Sequence, residues 1–216
     1  MSILHHPSEE FLAAYAAGTL DQGQHVAMAT HLMTCSECRK WVHDMEHVGG
    51  TVLDGISPET MSGGALDRLL SRLDEPAHVA QPAPTSHDGL SDVAGLPAFV
   101  RRFPSGQWKW LAPRLHLRRI ALSDSDDTRV FLLRAGPNLK LLPHAHTGTE
   151  MTCILQGSFS HDGSRYGAGD FDLGDDNMIH EISMGPECDC VCLVAMQGEL
   201  KLQGLLGRLV QPFAAL

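Results

Sequence analysis

The sequence predicts a two-domain α + β protein, with a bundle of four short helices followed by an antiparallel β-barrel or jelly roll. Three observations carry that expectation. Apolar residues recur at helical spacing up to about residue 73, a Pro-rich stretch follows, and beyond it short apolar runs alternate with turn glycines. These changes place the helical unit at 1–75, a linker at 76–98 and the β unit at 99–216.

Ser8 can cap a first helix bearing Phe11, Leu12 and Tyr15 and stopping at Gly18. Asp21 can cap a second, with Val26, Ala29, Leu32 and Met33 on its apolar side. Ser36 can open a third that carries Trp41, Met45 and Val48 and is expected to break at Gly49-Gly50. A fourth, from about 62 to 73, lines up Leu66, Leu69, Leu70 and Leu73. Pro76, Pro82, Pro84 and Pro97 then sit among Ala, Ser, Gly, Asp and His, as linkers do. Further on, Leu115, Leu117 and the runs 128–133, 150–155 and 188–195 read as strands, punctuated by Gly157, Gly163, Gly167, Gly169 and Gly174.

The formal net charge is −10. Phosphates would repel such a chain, so direct binding to nucleic acid or to an anionic membrane is not expected, and a basic protein is the more natural partner. Residues 1–73 hold nine acidic and four basic side chains, a formal charge of −5. That is either a solvated surface or the complement of a basic partner. No stretch approaches the ~20 apolar residues of a membrane span. The opening Met-Ser-Ile-Leu-His-His-Pro has neither a basic n-region nor an apolar h-region, so a cytoplasmic location is expected.

Thirteen histidines and six cysteines point to metal or redox chemistry rather than a disulfide framework. The strongest local signal is His31-x3-Cys35-x2-Cys38. Two cysteines at this spacing can chelate one tetrahedral ion, and a histidine one helical turn earlier can face the same ion. A closed site wants a fourth ligand; His6 is the candidate and His5 its rival. A redox dithiol is the alternative, but no βαβ pattern surrounds the cysteines. A unit of about 70 residues has a thin core, which a metal staple would reinforce.

His6 with His31-x3-Cys35-x2-Cys38, the run at 5–20 (His-His-x-Ser-x-x-x-Leu-x-Ala-Tyr-Ala-Ala-Gly-Thr-Leu) and Ala-Thr-His-Leu at 29–32 resemble the ChrR family of zinc-binding anti-sigma factors. The likeness extends to Leu-Val-Gln-Pro-Phe at 209–213. It implies His6, His31, Cys35 and Cys38 as ligands of a structural Zn²⁺ in an N-terminal zinc bundle. It also implies a C-terminal cupin, and an extracytoplasmic-function sigma factor as partner. The function implied is occlusion of that sigma factor and its release under oxidative, singlet-oxygen-type stress, triggered by a small-molecule or oxidant signal at the cupin.

His144-x-His146-x3-Glu150-x6-Gly157 resembles the first cupin motif, and alternate strand residues would aim both imidazoles into the barrel. Gly169-Asp170 and His180 fall at second-motif spacing, although Asp175 and Asn177 replace the usual Pro and Gly, and Gly136 lies eight residues before His144. His144, His146, Glu150 and His180 would suit Zn²⁺, Fe²⁺, Mn²⁺ or Ni²⁺; the family likeness favours zinc. The competing reading is a metal-dependent, dioxygenase-like cupin enzyme with an accessory zinc domain. A standalone enzyme has no need of the N-terminal motif, so a regulator rather than an enzyme is expected.

Cys188, Cys190 and Cys192 share a strand face about 6.6 Å apart, at the limit of disulfide geometry, and read as small core residues with a redox pair as the alternative. Cys153 reads as core and His161 as a solvated turn residue. No P-loop, dinucleotide glycine fingerprint or Gly-x-Ser-x-Gly elbow is present.

Overall fold

The structure is a computed structural model and describes residues 3–73, 75, 90–122, 127–174 and 181–202. The Ser8 hydroxyl accepts the Phe11 N–H at the start of α1 (Glu9–Ala16). Gly18, just beyond the helix, has φ +68°, a left-handed conformation that glycine reaches without a Cβ penalty. α2 (Gln22–Leu32) is capped by Asp21, whose Oδ1 accepts the Gln24 N–H at 2.8 Å.

α3 (Ser36–Asp54) departs from the expectation by running through Gly49 and Gly50. Glycine weakens a helix interior by about 1 kcal/mol relative to alanine but does not forbid it. α4 spans Ala65–Leu73. The expected four-helix bundle is formed in part: α1, α2 and α3 pack together, whereas α4 buries none of its side chains. α3 likewise buries nothing beyond Val42.

The strands of the second half are antiparallel throughout. β1 (Lys109–Ala112), β2 (Leu115–Ile120), β3 (Arg129–Ala135), β10 (Cys190–Met196), β5 (Glu150–Gln156) and β8 (Phe171–Gly174) make a six-stranded sheet in that order. β11 (Leu200–Leu202) pairs with β4 (His144–His146), and β7 (Ser164–Gly167), β6 (Ser158–His161) and β9 (Ser183–Met184) form a third sheet. Among the described residues these ladders form three antiparallel sheets that do not join into one closed ring.

The central strands of the six-stranded sheet are buried on both faces. Along β10, Val191, Leu193 and Ala195 join a core shared with the helices, while Cys190, Cys192, Val194 and Met196 face the interior between the sheets. That two-sided burial is why the run is continuously apolar instead of alternating. α2 is the helix that meets this sheet, at β5 and β10, with α1 and α3 on its other side. Its burial is therefore broader than one stripe: Val26, Ala27, Met28, Thr30, His31 and Leu32 are all buried, and Met33, expected on the apolar side, is 60% exposed.

The stretch read as linker divides. Residues 76–89, with Pro76, Pro82 and Pro84, lie outside the described residues. Residues 90–98 are folded instead of linking: Leu90, Val93 and Leu96 enter the shared core. The Arg101 guanidinium secures them by donating to the carbonyls of Leu90 at 3.0 Å, Val93 at 3.1 Å and Leu96 at 3.2 Å. Their hydrophobic spacing was masked by the polar composition around them. Among the described residues no helix is long and apolar enough to cross a membrane.

α2 seats on the sheet at its first turn. Asp21 accepts from Gln197 Nε2 at 2.9 Å and from the Thr128 hydroxyl. A Cβ on Gly23 would lie 2.5 Å from Thr128 Cγ2, closer than atoms can approach. Gly23→Ala is therefore expected to cost about 1–3 kcal/mol through overpacking. An unchanged denaturation midpoint would show that α2 does not sit this close to the sheet.

Candidate metal centres

The N-terminal centre is assembled from three chain segments. Cys35 is the N-cap of α3, and its sulfur accepts the Cys38 N–H at 3.4 Å, so one helical turn sets both thiols on the same side. His31 comes from the last turn of α2, and His6 from the extended chain before α1. One ligand atom from each of His6, His31, Cys35 and Cys38 lies within 4.8 Å of the others.

The edges of this cluster test its fit to zinc. A tetrahedron with Zn–S of about 2.3 Å and Zn–N of about 2.0–2.1 Å has S···N edges of about 3.6 Å. Here His6 Nδ1 lies 3.4 Å from Cys35 Sγ and 3.3 Å from Cys38 Sγ, and His31 Nε2 lies 3.4 Å from Cys38 Sγ. The donor set and its size fit one Zn²⁺. His5 points elsewhere: its ring stacks on Tyr166 at 4.0 Å, and its Nε2 donates to the Arg165 carbonyl.

The local electrostatics agree. Burial pushes His31 down to about 4, which keeps its imidazole neutral and able to ligate. Burial, and then the hydrogen bond with Cys35, pushes the Cys38 thiol up to about 12. Thiolates at such a position need a neighbouring cation, and a metal ion is the one that displaces their protons. His31 Nδ1 donates to the Gly169 carbonyl at 2.9 Å, which fixes the tautomer with Nε2 toward the sulfurs.

In the second half, His144 and His146 stand on β4, both buried, with their rings edge to face at 5.1 Å. His146 Nε2 is 3.0 Å from Glu150 Oε2 on β5. His144 Nδ1 donates to the Leu142 carbonyl at 2.8 Å, which turns its Nε2 inward. His144, His146 and Glu150 are thus neighbours, His146 touching both; His180 lies outside the described residues. A cavity of about 470 Å³ adjoins His144, Glu150 and Thr152, with walls that include Leu111, Phe131, Leu139, Ile182, Met184 and Val194.

Sequence reading missed His161 and its partner Asp172 near this centre. His161 is not a solvated turn residue: it is 5% exposed on β6, and its Nδ1 donates to Asp172 Oδ2 at 3.0 Å. That hydrogen bond holds the imidazole above its ordinary value. The available signal was its two-residue spacing from Phe159, which puts both side chains on one face. Among the cysteines, Cys153, Cys190 and Cys192 are buried as expected, but Cys188 is exposed because it precedes β10.

Comparisons with known proteins follow the same division. Residues 98–199 match the family model described as ChrR Cupin-like domain, and residues 8–39 match a zinc-finger family. The chain is 34% identical over 214 residues to the anti-sigma-E factor ChrR of Cereibacter sphaeroides, covering 99% of each. It also resembles a chain in the crystal structure of Rhodobacter sphaeroides SigE in complex with the anti-sigma ChrR, with a TM-score of 0.73 and 30% identity, over 91% of this chain and 100% of that one. With one relative matched from end to end and both units matched in order, this chain belongs to the ChrR family of zinc-binding, cupin-containing anti-sigma factors.

Proposed function

We propose that this protein is an anti-sigma factor that captures an extracytoplasmic-function sigma factor, masks the surfaces it needs for RNA polymerase, and releases it under oxidative stress, singlet oxygen included. The observation that carries this reading is the end-to-end likeness to an anti-sigma factor. The role is regulation in the cytoplasm rather than catalysis. Capture is assigned to the zinc unit, 1–75, and sensing to the cupin unit, 99–216.

The apolar stripe of α4 supports the capture surface. Leu66, Leu69, Leu70 and Leu73 recur at i, i+3, i+4 and i+7 and are 63%, 58%, 49% and 74% exposed. Such a stripe suits a helix that docks into a groove on a partner. Leu69→Asp with Leu70→Asp should leave the fold unchanged and weaken capture of a co-expressed sigma factor by roughly thirtyfold or more, since buried interface anchors contribute about 2 kcal/mol or more. Undiminished co-purification would move the docking face elsewhere.

His6, His31, Cys35 and Cys38 are the proposed ligands of a structural Zn²⁺, supported by the edge lengths of their cluster. The ion would cross-link the N-terminal segment, the end of α2 and the start of α3; structural zinc contributes about 10–16 kcal/mol in zinc-finger peptides. Cys38→Ser should lose one equivalent of zinc together with sigma capture, and His6→Ala should weaken zinc binding while His5→Ala does not. Full zinc content in Cys38→Ser, measured by mass spectrometry under native conditions, would remove the assignment.

His144, His146 and Glu150, with His180, are proposed to hold a second divalent ion, which family likeness favours as zinc. The adjoining apolar cavity would admit the small-molecule or oxidant signal. Replacing His144 and Glu150 together by alanine should leave sigma capture intact but blunt its release under oxidative challenge. Release at the normal rate and extent would overturn the sensing role.

A further inference from the structure

We propose that residues 167–172 of the cupin unit are part of the zinc centre. Asp170 and the Gly169 carbonyl position two of its four ligands, and the strand that continues from them transmits the state of the cupin centre to it. This rests on the zinc reading above and adds to it positioning residues and a route of regulation.

Two of the four ligands depend on this segment. His6 is carried by chain whose backbone is held on both sides by the cupin unit. Asp170, 4% exposed, accepts the Leu4 N–H at 2.7 Å and the His5 N–H at 3.1 Å on Oδ1, and the Gly167 N–H at 2.8 Å on Oδ2. The His5 carbonyl accepts the Phe171 N–H at 3.1 Å. The side chain of Leu4 is of little help, being 71% exposed, while Ile3 lies over Gly169 so closely that a Cβ there would be 3.1 Å from it. His31 is oriented by the Gly169 carbonyl and meets the Phe171 ring edge-on at 5.6 Å. Cys35 and Cys38 are placed by the start of α3, with the Cys35 N–H donating to the His31 carbonyl at 3.0 Å.

The same chain reaches the other centre two residues later. Asp172 holds His161 and pairs across the sheet with Thr152, whose hydroxyl donates to Glu150 Oε1 at 3.1 Å. Glu150 is in turn against His146. A shift of Glu150 or His161 therefore moves β8, and β8 cannot move without moving the carbonyl and carboxylate that aim His31 and His6. A continuous hydrogen-bonded connection of this kind can couple two sites.

The test uses the full chain loaded with Co²⁺, whose thiolate charge-transfer band arises from the Cys35–Cys38 centre alone. Loss of that band to an excess of chelator reports on this centre even when the cupin centre is also loaded. Asp170→Ala should lose the band about tenfold faster or more, as for other residues that orient metal ligands. Asp170→Asn, whose amide oxygen still accepts from Leu4 and His5, should restore most of the difference. Leu4→Pro removes one of those N–H donors at an exposed position and should also speed the loss, independently of any effect on cupin folding. His144→Ala with Glu150→Ala should change the rate about fivefold or more. Unchanged rates in Asp170→Ala and Leu4→Pro would overturn the positioning role, and an unchanged rate in the double variant would overturn the coupling. Absence of the thiolate band from the unsubstituted chain would instead remove the zinc reading itself.

Discussion

His31 is wholly buried, and its two ring nitrogens are committed in different directions, Nε2 to Cys38 and Nδ1 to the Gly169 carbonyl. A buried imidazole needs partners for both nitrogens, and here one partner belongs to each half of the chain. Burying this residue away from water requires the helical unit to dock on the cupin unit, which supplies the Gly169 carbonyl in place of water. Much of the remaining structure follows from that requirement. α2 must lie against β5 and β10, which demands the missing side chain at Gly23. The chain before α1 must run along residues 169–171 to deliver His6 from the other side.

The six-stranded sheet is the common support. Its outer face carries the helices and the folded 90–100 segment, and its inner face lines the cupin cavity. A sheet buried on both faces is a stiff element, because neither side can repack without displacing close-packed neighbours. The zinc cluster meets it at the turn entering β8, and Glu150 of the cupin cluster stands on its strand β5, with His144 and His146 alongside on β4 of the two-stranded sheet. By contrast the second half of α3 and all of α4 leave the body of the protein with Val48, Val52, Leu53 and the α4 leucines exposed. Apolar surface of this extent is costly in water unless a partner covers it, which suits a protein that works by binding another.

The candidate ligand residues were legible in the sequence because metal chemistry restricts residue type and spacing together. His31-x3-Cys35-x2-Cys38 has few other uses, and His144-x-His146 places two imidazoles on one strand face whatever the fold around it. The helix starts at Ser8 and Asp21 were legible for a similar local reason, since each hydroxyl or carboxylate caps an N–H three residues on. Spacing alone left His5 as a rival to His6, which the family likeness favoured; adjacent residues of an extended chain point to opposite sides, and the Tyr166 and Arg165 contacts turn His5 away from the cysteines.

By itself, then, the sequence determined the order of helical and β units, the cap residues and the residue make-up of both candidate clusters, all of which depend on residues near one another in the chain. Tertiary structure alone decided that Leu90, Val93 and Leu96 belong to the core, that α3 continues through two glycines, that α4 stays unpacked, and that His161 faces inward to Asp172. Each of those outcomes rests on a partner distant in sequence, or on the lack of one within the described residues. No local propensity or spacing carries that information.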